Sequence, residues 1–324
     1  MSLQPDFLGV SRPTSFDDDA GWRTFWNFSL RSLVLCTIAP HIPSARRLLL
    51  EARRRIIPDR ARGIYPFAGV RLSRSDIEWL IATAAMFQPE AIRDWRGEQP
   101  SIDLRGADLR GVDLSGLFLW GIWAGSPFAD ASPEERQQAA TLLDGADLRR
   151  ACLAGAILVS TRLRGANLAD AILSADLRGA SLEGAAMRHI FARGATFINA
   201  QMQGVDLTRA FCKAAYFDGA QLQGATMRQI SATRAKFRRT QLVGADLRDA
   251  RLYQATLREA NVQGADLSGA FLSKAKLILA NLDGANLCAI YTTRFTNFHR
   301  ATFAGAQTDS TTFAHATLVD PHLP

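Results

Sequence analysis

Between Ile102 and Val319 a small residue and a large apolar residue recur two positions apart, and the pair repeats every five residues. The signature is Ala-(Asp/Asn)-Leu-x-Gly. It stands nearly pure as Gly-Ala-Asp-Leu-Arg at Gly106–Arg110 and Gly244–Arg248, and as Ala-Asn-Leu from Ala166, Ala280 and Ala285. A period of five fits neither a helix at about 3.6 nor a plain strand at about 2. If the tripeptide is extended, its first and third side chains point to one side and its middle one to the other. The two remaining residues must then turn the chain. Taking the large residue as the centre, centres fall at Leu104, Leu109, Leu114 and Leu119, and then every five residues from Leu143 to Leu173. After a four-residue step they run unbroken from Leu177 to Thr292. A short extended piece plus a bend, repeated, winds into a coil whose turns hydrogen-bond to one another about 4.8 Å apart.

Compensating substitutions give the length of one turn. Ile190 with Ala192, Ile230 with Ala232 and Ile290 with Thr292 reverse the usual small–large order, and they lie 40 and 60 residues apart. Phe197, Phe217 and Phe237 are centres spaced by 20. Both patterns predict 20 residues, or four pentads, per turn, a square cross-section and Phe rings stacked down one column. These residues resemble the pentapeptide-repeat family over Ile102–Val319. The resemblance implies a right-handed, four-sided parallel β-helix, and the handedness comes from it alone. The expected fold is an all-β solenoid of about ten coils, on the order of 45–50 Å long, behind a mainly α-helical N-terminal region.

Residues 1–100 are expected to be that helical region, a cap or partner-binding element, with 101–319 the repeat and 320–324 a tail. Ser44–Ile56 reads as a basic helix, and Ser75-x-x-Glu78 as the capping box of a second. Gly63–Thr83 resembles the N-terminal part of some multi-element bacterial pentapeptide-repeat proteins. The repeat breaks between Leu119 and Leu143, which predicts an insert at 120–142. There Ser132-Pro133-Glu134-Glu135 reads as N-cap, first-turn proline and acidic first turn. Trp120, Trp123 and Phe128 in this insert are expected to fold against the rod. One extra residue between Thr292 and Phe298 predicts a bulge.

Charge and candidate chemistry narrow the function. The 324-residue chain has 38 Lys plus Arg against 31 Asp plus Glu, a net +7, and residues 101–324 hold 24 basic and 20 acidic residues. That balance suits an anionic partner and argues against a mimic of a polyanion. One branch of the resembled family acts on DNA gyrase by imitating duplex DNA in shape and negative charge, so gyrase modulation is a lesser alternative here. Phe25–Ala39 is apolar but only 15 residues long, with Asn27 and Arg31 inside it. It is too short for a span of about 20 residues, and a membrane-surface role is disfavoured. Cys36, Cys152, Cys212 and Cys288 form no C-x-x-C pair, so reduced thiols and a cytoplasmic location are expected. His41, His189, His299, His315 and His322 lack metal-ligand spacing, and no nucleotide loop or nucleophile elbow occurs. No metal, cofactor or catalytic residue is expected.

The outward residues sort by face. The first face, centred on Leu182, Met202, Leu222, Leu242, Val262 and Leu282, shows a column of Gln201, Gln221, Gln241, Asn261 and Asn281. The second, centred on Met187, Leu207, Met227, Leu247, Leu267 and Leu287, mixes Asp206, Asp246 and Asp266 with arginines. The third, centred on Ala192, Cys212, Ala232, Leu252, Leu272 and Thr292, has no Asp or Glu. Its outward positions hold Phe191, Phe211, Tyr253, Phe271 and Tyr291 among Arg193, Lys213, Arg234, Arg251, Lys274 and Arg294. Rings in a row between cations form the candidate interaction face. The competing structural reading is that the rings pack on one another, or under the insert or a terminal segment, and leave a solvated basic fringe. The expected function is a non-catalytic scaffold binding a protein partner or a second copy of itself. Nucleic-acid binding by the same face is the alternative, and the C-terminal coil is a candidate homodimer contact.

Overall fold

The computed structural model describes residues 40–87, 102–126, 128, 130–310, 313 and 316. Phe25–Ala39 and the 320–324 tail lie outside the described residues. The repeat region is a coil. The residue before each centre makes a parallel bridge to the one 20 further on, as in Thr196↔Tyr216, Gln201↔Gln221, Asp206↔Thr226 and Phe211↔Ser231. The extended piece of each pentad is too short for a continuous strand, so the ladder consists of single-residue bridges. Ten residues stack down the fourth face, from Asp103 to Asn297, in nine bridge steps. At about 4.8 Å per step these span about 43 Å.

The pentad's physical logic is visible in each corner. The centre's carbonyl accepts a hydrogen bond from the amide three residues on, as in Ala107 N to Leu104 O at 3.0 Å, which closes a β-turn. The second residue after the centre takes positive φ, which is why the signature ends on Gly. The Asp or Asn before the centre bonds the amide two residues on. Ser115 N donates to Asp113 Oδ1 at 2.9 Å and Thr208 N to Asp206 Oδ1 at 3.0 Å. The repeated carboxylate therefore shapes the turn.

Inside, both members of each size-swapped pair are buried, including Ile190 with Ala192 and Ile230 with Ala232. Phe197, Phe217 and Phe237 stack with centroids 4.9 and 4.8 Å apart and planes within 8° and 1° of parallel. Register changes follow the sequence irregularities. The four-residue step gives Ile157↔Asp176, 19 apart, and the extra residue gives Lys276↔Asn297, 21 apart.

Sequence expectations on the insert and on α2 are corrected. The insert starts later than residue 120, because Trp123 bridges Asp103 and Ile157 and belongs to the ladder. Its pentad is a further size-swapped one, Ile122 with Ala124, both buried, and that disguised it. The detour between faces four and one shows as the 34-residue register of Asp108↔Leu142. It carries helix α3, Pro133–Ala139, numbered after α1, Ser44–Arg54, and α2, Arg74–Phe87. Ser132 and Glu135 cap α3 reciprocally, at 3.1 and 2.7 Å. Phe128 is exposed with the Arg60 guanidinium over its ring at 5.1 Å, so it does not fold into the rod. The second correction concerns α2, whose capping pair is Ser73 and Asp76, not Ser75 and Glu78. Asp76 N donates to Ser73 Oγ at 3.2 Å and Ser73 N to Asp76 Oδ2 at 2.7 Å. Glu78 instead takes Arg74 Nε at 2.7 Å.

Two cations of the basic helix α1, Arg46 and Arg54, reach α2. Arg46 forks onto Asp76 at 3.0 and 2.8 Å. Arg54 lies over Trp79 at 5.3 Å and donates to Leu80 O at 2.8 Å, and burial pulls it down to about 10. Residues 69–72 add a partial turn above the first coil, with Arg71↔Asp108 parallel and Leu72 N to Asp108 O at 3.0 Å. Ile77 of α2 sits with Leu104, Leu109, Leu114 and Leu119 at the mouth of the coil. Arg105, buried between Tyr65 and Trp123 at 4.5 and 5.0 Å and paired with Asp103 at 2.6 Å, locks this junction. At the other end Phe298, Phe303 and Phe313 form an edge-to-face cluster with centroids 5.2 to 5.7 Å apart.

Candidate functional site

The third face carries one outward column whose members bridge in succession: Phe118, Cys152, Ile172, Phe191, Phe211, Ser231, Arg251, Phe271 and Tyr291. Parallel in-register stacking sets each side chain over the next at about 4.8 Å, so ring meets ring wherever the sequence repeats an aromatic.

The column divides in two. Phe191 and Phe211 are closed off, at 6% and 3% exposure, with their rings 4.9 Å apart. They cannot present a contact surface, and their place on the candidate face is corrected accordingly. Arg193 and Lys213 flank this closed half and are both engaged in interactions of their own. From Arg251 onward the column opens. Phe271 is 48% exposed and Tyr291 55%, with their rings tilted 44° at 6.1 Å.

Phe295, which sequence reasoning missed, joins the open half at 56% exposure. It sits in the bulge, where Thr296 is buried and donates through Oγ1 to Leu272 O at 3.0 Å while Thr296 N donates to Thr293 O at 2.7 Å. An extra residue at a corner has no inward place, and that was the available signal.

The cations here meet rings and amides. Lys274 Nζ lies 5.5 Å from the Tyr253 ring and 5.7 Å from the Phe295 ring, and the Arg294 guanidinium 4.8 Å from Phe295. Arg234 Nε donates to Gln254 Oε1 at 2.9 Å, and Arg251 is exposed. The open half thus sets cations directly against exposed rings.

The other sorted faces look different. On the second, Arg188 pairs with Asp206, Arg228 with Asp246, and Arg248 with both Asp246 at 2.8 Å and Asp266 at 3.7 Å. That is a neutralised, solvated network. On the first, Asn261 Nδ2 donates to Gln241 Oε1 of the neighbouring coil at 3.2 Å, but Gln203 and Gln223 bond Gln201 and Gln221 of their own coils. The amide column is thus mostly knitted within coils.

Among the described residues no three His, Cys, Asp or Glu side chains come together in a way that could hold a metal. Cys152 and Cys212 are buried free thiols, Cys152 pushed up to about 11 by desolvation and Cys212 further still. His189 and Asp170 face each other across coils at 3.4 Å, both on open surface. No described helix is long and apolar enough to cross a membrane.

A four-sided coil of pentads with a helical element at its mouth defines the class, a parallel β-helical repeat solenoid. The pentapeptide-repeat family profile matches residues 141–174, 175–211, 215–254 and 255–289, and the chain belongs to that family, whose β-helix is right-handed. Among solved structures it is similar to HetL, a pentapeptide-repeat protein involved in heterocyst differentiation regulation from the cyanobacterium Nostoc sp. strain PCC 7120. Identity is 24% over 72% of this chain and 93% of that one, with a TM-score of 0.31. It is also similar to a trypsin-treated form of QnrB1, a plasmid-mediated fluoroquinolone resistance protein, at 17% identity, 63% and 90% coverage and a TM-score of 0.29. A third likeness, to alr5209 from Nostoc PCC 7120, is 30% identical over 38% of this chain and 86% of that one, with a TM-score of 0.22. No curated protein matches the chain.

Proposed function

We propose that the protein is a non-catalytic interaction scaffold that binds a protein partner through the C-terminal half of its third face. Pentapeptide-repeat proteins are generally scaffolds without enzymatic chemistry, which favours this class of function. The observation that carries the reading is the exposed row Phe271, Tyr291 and Phe295, set between Lys274 and Arg294 on a rigid ladder. Exposed rings held in fixed positions lose little conformational entropy on binding, and aromatics with arginine are the residue types that dominate interface energetics. The test is affinity capture with the wild-type chain and with Phe271→Ala/Tyr291→Ala/Phe295→Ala, after circular dichroism shows the same fold. A partner retained by the first and lost by the second supports the site; partners held equally by both refute it. Sedimentation of the same pair separates a second copy, including pairing through the C-terminal coil, from a different protein.

Nucleic-acid binding by the same patch is a second reading, favoured by the absence of any acid on that face. Anisotropy of labelled single-stranded and duplex oligonucleotides across a salt series tests it, and no binding at low salt eliminates it. The same basic surface speaks against modulation of gyrase by imitating DNA. A reducing compartment such as the cytoplasm suits the free thiols Cys152, Cys212 and Cys288.

A further inference from the structure

The fourth face carries the Phe197, Phe217 and Phe237 stack on its inner side and a groove along the rod on its outer side. The column after its centres reads Ile198, Asp218, Arg238, Arg258 and Ile278, one residue per coil. The two isoleucines line opposite ends of the groove, four coils apart, about 19 Å at about 4.8 Å per coil. Lys276 lines it from the neighbouring column.

Over six coils this face displays six basic side chains, Lys236, Arg238, Arg239, Arg258, Lys276 and Arg300, against the acids Asp218 and Glu259. Both acids are already committed. Asp218 Oδ1 accepts from the Arg238 amide at 2.8 Å, and Glu259 takes Arg239 at 2.8 Å and Arg258 at 3.0 Å. Lys236 rests on the Tyr216 ring at 4.4 Å. The Arg238 guanidinium and the Lys276 ammonium, both exposed, have no carboxylate partner among the described residues. On the second face, by contrast, cations find carboxylates coil after coil.

We propose that this groove docks a short acidic segment of a protein partner, extended along the rod. Its carboxylates meet Arg238 and Lys276, and an apolar residue at each end rests on Ile198 and Ile278. Six or seven extended residues at about 3.3 Å each cover the distance between the isoleucines. The Ile198 end selects polypeptide over a phosphate backbone, which would find no cation in that coil and would pass Asp218 and Glu259 on the way. The site is separate from the third-face patch, and either can fail without the other.

The chain's own sequence at residues 16–22, Phe-Asp-Asp-Asp-Ala-Gly-Trp, has the required length and composition and supplies the probe. A fluorescein-labelled peptide of that sequence is titrated with the full chain carrying Asp17→Asn, Asp18→Asn and Asp19→Asn, so that the native stretch cannot compete. The expected result is salt-sensitive binding that weakens by about tenfold or more with Arg238→Glu/Lys276→Glu, by the logic of charge reversal at a complementary surface. Arg209→Glu on the second face leaves it unchanged. Arg238→Gln/Lys276→Gln gives an intermediate loss and guards against a folding artefact. Absent binding, or binding indifferent to both groove variants, overturns the proposal. So does a single-stranded oligonucleotide that binds this groove when the peptide does not.

Discussion

Replacing Phe217 probes the packing that the whole coil rests on. Its ring is fully buried between Phe197 and Phe237, at 4.9 and 4.8 Å and nearly parallel to both. The coil spacing is held by backbone bonds on either side, Phe217 N to Lys236 O at 2.7 Å and Tyr216 N to Ala195 O at 2.9 Å, so the walls cannot close over a missing ring. Phe217→Ala therefore loses the transfer energy of the ring and leaves a cavity, about 3–5 kcal/mol, toward the top of that range because the site is rigid. Phe217→Leu is a different experiment. Leu257 and Leu277 stand in the same column two and three coils on, so a leucine fits this geometry. It forfeits chiefly two ring–ring contacts, about 1–3 kcal/mol together. Urea unfolding followed by far-ultraviolet circular dichroism measures both. A cost for alanine below about 2 kcal/mol, or leucine as costly as alanine, would refute the picture of a rigid stacked column.

Gly244 lies at φ 63° with open space where a Cβ would stand, so Gly244→Ala should cost about 1 kcal/mol from backbone conformation alone, read as a lowered urea midpoint. Asp108 is held down to about 2, first by the hydrogen bond from Arg110, below its usual 3.8. A carboxylate depressed in the folded state contributes stability that is present above its unfolded value and is lost as pH falls through the folded one. Stability of the wild type should therefore drop between pH 3.8 and about 2 more steeply than that of Asp108→Asn, in acid titrations of thermal unfolding. Of Cys152, Cys212 and Cys288, only the half-buried Cys288 should react with a thiol reagent in the native protein, as mapped by mass spectrometry.

Most of the architecture was legible because the repeat is short and its exceptions are informative. Ile190 with Ala192 announces that both positions share the interior, and phenylalanines 20 apart announce the length of a coil. Trp123 escaped because Ile122–Ala124 reverses the usual sizes, so a working rung looked like an insert. The cap of α2 was misplaced by two residues because Ser73–Asp76 and Ser75–Glu78 are both plausible boxes, and only the Arg74–Glu78 and Arg46–Asp76 pairs separate them. The candidate face was legible as a column and not as a surface. Periodicity says which way Phe191 and Phe271 point, but exposure depends on what else packs there, and that closes the first ring and leaves the second open. Phe295 was invisible to a periodic reading because the bulge is where the period fails.

Whether a partner binds the open half of the third face is decided by site-specific photo-cross-linking. A benzophenone-bearing amino acid placed at Tyr291, and separately at Gln241 on the first face, is activated in cells expressing the full chain. A discrete cross-linked protein is expected from position 291 and none from 241. Equal cross-linking from both positions, or from 241 alone, would contradict binding at that face.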